Sequence, residues 1–269
     1  MSGERILPAD LKSSGEYYLY LKEKFMYQWC GRALPQGVFC LDVGCGEGYG
    51  TKILAETSSE AKVVGLDISP GTIEKAKSKY KDDHCDFKVY DGKNIPAGDA
   101  SVDAVVSLQV IEHIRNDRAF VAEVWRALKP GGLFILTTPN RQIRLLPGMR
   151  PWNAFHVREY YSADLKDLLR EIFSVVNIHG VTASEDIRAI EIARVERNAR
   201  LAACDFLNLR RLLPPGFVSM LGAAVGNLAG AKKKSASLPA MTEAQVLASF
   251  SIEDFNDFTS LDILAVCRK

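Results

Sequence analysis

Short apolar runs alternate with helical periodicities through the first half of the chain. Val38–Val43, Lys62–Ile68, Asp86–Tyr90, Val102–Leu108 and Leu133–Thr138 each read as a strand, and most carry Val, Ile or Leu on both faces. That is the mark of a sheet buried between helix layers. Gly71–Tyr80 and Asp117–Leu128 fall between these runs. In the second, Phe120, Val121, Val124, Trp125 and Leu128 recur at three- and four-residue spacing, which predicts a helix with one apolar face. Lys129-Pro130-Gly131-Gly132 then ends that helix and turns the chain into the next strand. Alternating β and α segments predict an α/β fold with a doubly wound parallel sheet and right-handed crossovers.

The rhythm changes after residue 140. Arg141–Phe155 reads as a loop rich in Pro, Gly and Arg, Ser162–Phe173 as an amphipathic helix capped by Ser162, and Phe173–His179 as a further strand. Glu185–Leu213 looks helical until Pro214-Pro215-Gly216 breaks it; Phe217–Leu228 reads as a short helix and Ala231–Ala240 as a surface loop. Asp262–Cys267 is the expected closing strand, and Tyr17–Trp29 an aromatic-rich helix near the start. One domain over 1–269 is expected: a helical cap over 1–37, a core over 38–184, a helical insertion or lid over 185–249, and a closing segment over 250–269.

Composition narrows the function classes. The chain has 269 residues and is 47% hydrophobic, enough for a substantial core. With 34 basic against 33 acidic side chains its net charge is +1, so no global field draws it to nucleic acid or to an anionic membrane. Six cysteines, at 30, 40, 45, 85, 204 and 267, include no CxxC pair, which argues against a disulfide scaffold or zinc ribbon and for reduced, buried thiols. No basic start followed by an apolar run marks a signal peptide. No apolar stretch approaches the roughly 20 residues that span a bilayer. A soluble, cytoplasmic protein is the expectation, with no nucleic-acid partner.

The densest chemical signal is Leu41-Asp42-Val43-Gly44-Cys45-Gly46-Glu47-Gly48-Tyr49-Gly50, between a predicted strand and a helix over Thr51–Glu56. Glycines there let the backbone turn sharply and approach a ligand, beside the free amides of a helix start. The dinucleotide fingerprint GxGxxG fails, because the sixth residue is Tyr49 counted from Gly44 and Thr51 counted from Gly46. A phosphate-binding P-loop fails too, for want of Gly-Lys-Ser/Thr. The next strand ends in Asp67, roughly 20 residues on, placed to accept both hydroxyls of a ribose. A third strand end, Tyr90-Asp91-Gly92, adds another carboxylate on the same rim.

These residues carry a resemblance. LDVGCGEGYG (41–50), VVGLDIS (63–69), YDG (90–92), VDAVVSLQVIEHI (102–114) and LKPGGLFILTTPN (128–140) together resemble the class I S-adenosylmethionine-dependent methyltransferases, in order and spacing, over about 38–181. The resemblance implies a Rossmann-like seven-stranded sheet of order 3-2-1-4-5-7-6 with strand 7 antiparallel. Asp262–Cys267 would be strand 7 and Phe173–His179 strand 6. It also implies that S-adenosyl-L-methionine is consumed and S-adenosyl-L-homocysteine released. The glycine loop would contact the amino-acid part of the cofactor, Asp67 its ribose and Asp91 its adenine amine. The expected cofactor contacts are Asp42, Gly44, Cys45, Gly46, Tyr49, Asp67, Ile68, Asp91, Gly92, Leu108 and Gln109. A cationic sulfonium suits a rim of carboxylates, and Asp42 and Glu47 flank the glycines.

The acceptor side is expected at the fourth strand end, which faces the methyl group in relatives with this motif. His113 is the first candidate base, with Glu112 as an alternative or an orienting partner; packing or capping at a helix start would explain His113 equally. His156 is the second candidate, in the string PWNAFHVREY (151–160), which resembles a segment of uncharacterised bacterial relatives. Aromatics beside His and Arg suit a small-molecule pocket, and Arg144, Arg150, Trp152 and Arg158 are the candidate acceptor contacts. Guanidinium groups favour an anionic or glycan-like acceptor, although they would serve as well on a solvated helix face paired with Glu185, Glu191 and Glu196. No clustered Cys, His and Asp set marks a metal, and none is expected. The reading is methyl transfer to O or N of a small molecule, sugar or glycan precursor. Its alternatives are a lipid or quinone-type methyltransferase resting on a membrane surface and an inactive cofactor-binding scaffold.

Overall fold

The computed structural model describes residues 14–145, 147–151, 153, 155–204 and 241–269, the side chains of 14–15 and 197–204 excepted. In chain order its elements are α1 (Ser14–Ala33), β1 (Phe39–Val43), α2 (Tyr49–Thr57), β2 (Lys62–Asp67), α3 (Pro70–Tyr80), β3 (Cys85–Val89) and β4 (Val102–Leu108). A 3-10 turn (Ile111–His113) leads to α4 (Asp117–Ala127), β5 (Leu128–Pro139), α5 (Arg141–Arg144) and α6 (Ser162–Arg170). Then come β6 (Val175–Ala183), α7 (Glu185–Cys204), α8 (Glu243–Ala248), β7 (Phe250–Asp254) and β8 (Asp262–Arg268).

The strands form one Rossmann-like sheet in the order β3-β2-β1-β4-β5-β8-β6-β7. β1 to β5 pair in parallel, and β8 runs antiparallel between β5 and β6. The expected order thus stands, with Asp262–Cys267 in the antiparallel place. The expected count of seven is corrected to eight: β7 adds an antiparallel edge strand beyond β6. Its sequence, FSIED, is short and ends in two carboxylates, which blunts an edge against further pairing and also hides it from an apolar-run search.

Alternation across the strands sorts the core into two layers. Val105, Phe134 and Leu136 point to the side of α4 and α6, meeting Phe120, Val121, Val124, Leu165 and Leu169. Their neighbours Ala104, Val106 and Ile135 point to the side of α1 and α2, meeting Met26, Tyr27, Cys30 and Leu54. Each large side chain buried this way contributes about 1.5–3 kcal/mol. Tyr18 and Leu21 of α1 pack with Ile187 and Ile190 of α7, Val246 of α8 and Phe250 of β7. The aromatic-rich helix near the start therefore lies against the body of the protein along its length.

Three local expectations change. Lys129-Pro130-Gly131-Gly132 lies within β5: Val102 pairs with Leu128, the register then shifts, and Ala104 pairs with Leu133. The four residues are accommodated as an irregularity in the ladder, with Gly131 at φ 77°. Ser162 is the first residue of α6 and Tyr161 holds the cap position, with no side-chain bond to the helix amides. The loop after β5 opens on a single helical turn, α5, whose cap Asn140 accepts the Gln142 N–H at 3.0 Å. Five cysteines, at 30, 40, 45, 85 and 267, are buried free thiols. The expected helix over Phe217–Leu228, the loop over Ala231–Ala240 and Trp152 lie outside the described residues. Among the described residues no helix is long and apolar enough to cross a membrane.

Candidate active site

Parallel pairing brings the carboxyl ends of β1 to β5 to one edge of the sheet, where open α/β sheets bind their ligands. The chain leaves β1 through Gly44 (φ 85°) and Gly46 (φ 54°), both in the left-handed region that an L side chain resists. The two glycines serve different ends. A Cβ on Gly44 would collide with Val110 after β4, whereas a Cβ on Gly46 would meet nothing within 4 Å. Gly44 lets two strand ends close on each other; Gly46 presents bare backbone to open space. The Gly44 and Cys45 amides donate to the Leu66 carbonyl at 2.7 and 3.0 Å, and the Gly46 amide donates to Asp67 Oδ2 at 3.1 Å. Asp67 Oδ1 accepts the Ser69 amide at 2.9 Å, so its carboxylate is fixed beside the loop. Ile68, half exposed, and Gly92 (φ 76°) lie against each other on the next rim position. Asp91 is exposed, and amides of Lys93 and Asn94 at 2.8 and 2.7 Å hold its carboxyl below the usual range.

Asp42 is placed otherwise. It is fully buried, accepts the Thr51 hydroxyl at 2.6 Å and the Tyr27 hydroxyl at 3.4 Å, and so ties β1 to α2 and α1. Burial pushes its carboxyl up to about 7. Tyr49 turns its hydroxyl to Glu23 of α1, and burial pushes Glu23 up to about 7 as well. Cys45 and Leu108 are buried beside the loop. Gln109 stands at φ 58°, donates its amide to the Thr137 carbonyl at 2.9 Å, and turns the chain sharply after β4.

That turn leads into Glu112, His113 and, from the loop before α6, His156. Ligating atoms of the three lie within 4.8 Å of one another, and the two imidazoles meet edge to face at 4.9 Å. Glu112 is fully buried; Oε2 accepts the Thr138 hydroxyl at 3.0 Å, and Oε1 has no hydrogen-bond partner. Burial raises its carboxyl pKa, against the pull of both histidines. The Glu112 carbonyl accepts the Val157 amide at 2.8 Å, joining the loop to the strand end. His113 Nδ1 faces the Phe155 carbonyl at 3.1 Å, and His156 Nδ1 faces Glu159 Oε1 at 2.9 Å. Burial pulls the Glu159 carboxyl up, but the His156 bond and Arg144 outweigh it and hold it low.

The arginines divide. Arg144 is buried, donates to Glu159 at 3.1 and 3.3 Å, and stands 3.8 Å from Glu191, which Arg194 also pairs. Arg158 pairs with Asp117 and donates to the Arg115 carbonyl. Both guanidinium groups thus brace protein carboxylates, whereas Arg150 is exposed on the loop. Sequence reading passed over Glu159 and Thr138. His156-x-x-Glu159 is a spacing that could have pointed to the first; nothing local points to the second.

The residues suit S-adenosylmethionine. A side-chain-free backbone at Gly46 borders open space, a fixed carboxylate stands beside it at Asp67, and an apolar surface is offered by Ile68. Residues 41–136 match the family model "Methyltransferase domain". A Mycolicibacterium smegmatis protein named as an S-adenosylmethionine-dependent methyltransferase is 37% identical over 183 residues, 67% of this chain and 68% of that protein. The chain spans 59% of the length of two further relatives so named in Mycobacterium tuberculosis. A phthiotriol/phenolphthiotriol dimycocerosates methyltransferase of Mycobacterium tuberculosis is 35% identical over 38% of this chain and 39% of its own. A solved SAM-dependent methyltransferase from Thermotoga maritima, 13% identical, superposes over 95% of this chain and 94% of its own with a TM-score of 0.58, a likeness of fold. The glycine loop, its acid and these relatives make this chain a member of the class I S-adenosylmethionine-dependent methyltransferases, an enzyme whose cofactor is S-adenosylmethionine.

Proposed function

We propose that this methyltransferase acts on a hydroxyl oxygen of a small-molecule, sugar or glycan-precursor acceptor. The observation that carries the reading is the cluster of Glu112, His113 and His156 at the end of β4, with an unpartnered carboxylate oxygen fully buried within it. When bound, S-adenosylmethionine supplies a methyl carbon on a cationic sulfur. Gly44, Cys45 and Gly46 border its amino-acid part, Asp67 accepts from its ribose, Ile68 and Gly92 flank its adenine, and Asp91 faces the adenine amine. Leu108 and Gln109 line the passage toward the acceptor. Asp42 and Tyr49 serve this half indirectly, by tying α1 and α2 to the loop.

On the acceptor side, a hydroxyl must shed its proton as the new bond forms, and a positioned acid–base group accelerates that by about 10²–10⁴-fold. Glu112, His113 and His156 bind and activate the oxygen. Glu159 and Arg144 fix His156 from behind. Arg150 contributes to the outer wall, where its exposed guanidinium favours an anionic group, and Arg158 steadies the loop through Asp117.

Transfer of labelled methyl groups to matched alcohols, phenols and amines tests the reading. The label is expected on oxygen, with kcat for His113→Asn and His156→Asn lower by about 100-fold at unchanged cofactor affinity. Transfer to amines alone, or undiminished rates in both variants, overturns it. A second reading, a lipid-like acceptor, draws on the relative named for phthiotriol dimycocerosates. Methyl transfer that requires acceptor presented in liposomes, with cosedimentation of the protein, would favour that reading.

A further inference from the structure

We propose that Glu112, His113 and His156 form a binding site for a divalent transition-metal cation of the zinc class. The three side chains come from a strand end and a distant loop, yet their ligating atoms lie within 4.8 Å of one another. Ligands around one zinc ion, at bond lengths near 2.1 Å, stand roughly 3.5 Å apart. Closing the difference takes about an ångström of side-chain rotation.

Glu112 supplies an independent reason. Its Oε1 is sealed from solvent without a hydrogen-bond partner, while Oε2 is held by Thr138. A buried carboxylate oxygen left this way is costly to the fold, and a cation satisfies it. Glu112 is also held in place by its carbonyl bond to Val157, so the oxygen is presented and not merely tolerated.

The surroundings have the form that ligating histidines need. A metal-bound imidazole donates its other ring nitrogen to a carboxylate or a carbonyl, which fixes both tautomer and ring plane. His156 Nδ1 stands at Glu159 and His113 Nδ1 at the Phe155 carbonyl. With a proton on each Nδ1, the Nε2 atoms carry the lone pairs that a metal takes. Arg144 then holds Glu159, and Arg194 holds the neighbouring Glu191. This shell is deeper than a lone acid–base histidine requires.

Donor chemistry selects the ion. Two imidazole nitrogens and one carboxylate suit Zn²⁺, Co²⁺ or Fe²⁺, whereas Mg²⁺ and Ca²⁺ prefer oxygen throughout. Three protein ligands leave coordination positions open, as catalytic sites do, and the proposed role of those positions is to take the acceptor oxygen, the cation lowering the hydroxyl's pKa so that its proton passes to water in place of a histidine as the oxygen takes the methyl group from sulfur. That role rests on the methyl-transfer reading above; cation binding does not and is measured without it.

The experiment uses the full chain, treated with chelator and desalted, and titrated calorimetrically with Zn²⁺ alone and by visible absorption with Co²⁺ alone. A single equivalent is expected to bind, with ligand-field bands of low-coordinate Co²⁺ and no competition from equal Mg²⁺. Glu112→Gln and His156→Asn are expected to weaken Zn²⁺ by about 100-fold, and Glu159→Gln, behind the first ligands, by about tenfold. Folding of each variant is checked by circular dichroism and by retained S-adenosylhomocysteine binding. Should His156→Asn fail to fold, His113→Asn replaces it. No Zn²⁺ binding by the chelated wild type, or undiminished binding in the folded variants, overturns the site. Zn²⁺ binding without methyl transfer to any hydroxyl overturns the acceptor reading and leaves the cation site standing.

Discussion

Along a single edge of the sheet, the ends of β1, β2 and β3 and the ends of β4 and β5 are built by different means. The first group offers mostly backbone: a glycine turn at Gly44, Cys45 and Gly46 whose amides are tied to Leu66 and Asp67, and a carboxylate at Asp67 braced by two of the chain's own N–H groups. The second offers side chains drawn from separate elements, with Glu112, His113, His156, Glu159 and Arg144 linked in sequence of contact. A cofactor common to a whole family is met by a contiguous loop. On the function proposed above, an acceptor particular to one member is met by an assembly that can change one side chain at a time.

The sharpest way to break this division is Asp67→Ala. Loss of charged hydrogen bonds worth about 1.5–3 kcal/mol each is expected to weaken cofactor binding by about 100-fold or more, measured calorimetrically, while Zn²⁺ affinity at the other half stays put. A fall in both would mean that the halves are one unit. Next in size is Glu159→Gln, which removes the charge behind His156. Here kcat should drop by about tenfold or more with cofactor affinity unchanged, and Glu159→Asp should restore part of the rate. A merely structural role for Glu159 would lower stability without that split.

A smaller effect concerns the straps under the cofactor loop. Burial raises Asp42 and Glu23 to about 7. The folded protein therefore holds protons that the unfolded chain has released, and each group's stabilising share, full below about pH 4, is lost as pH rises to about 7. The slope reaches about 1.4 kcal/mol per pH unit for each proton. Asp42→Asn, which keeps an acceptor for Thr51, should flatten the curve in urea unfolding at pH values across that window; an unchanged slope would remove Asp42 from the account. Smallest is Arg150→Ala. Stability should move by no more than about 0.5 kcal/mol, while KM for an anionic acceptor rises a few-fold and that for a neutral one does not.

The two halves also differ in how far they were legible. Gly44, Gly46 and Asp67 could be read because local sequence dictates them: positive φ wants glycine, and a strand tip puts its next residue at the rim. Asp42 belonged to the same motif, yet its side chain faces α1 and α2, since residues alternate sides along β1. Charge alone offers Arg144 and Arg158 as acceptor contacts. Their partners, Glu159, Glu191 and Asp117, lie on other elements, and no spacing rule links them. The edge strand β7 escaped for the opposite reason, its five residues being too short and too charged to stand out.

Periodicity and glycine placement alone determined which segments are strands and helices and where the chain turns sharply after β1, because each depends on neighbours within a few residues; the order of the strands came with the family resemblance. Tertiary structure alone decided that His156 meets Glu112 and His113, that one Glu112 oxygen is sealed without a partner, and that the buried Arg144 stands behind the cluster. Those facts come from packing a loop against a strand end, where burial removes water and makes every unpaired charge matter.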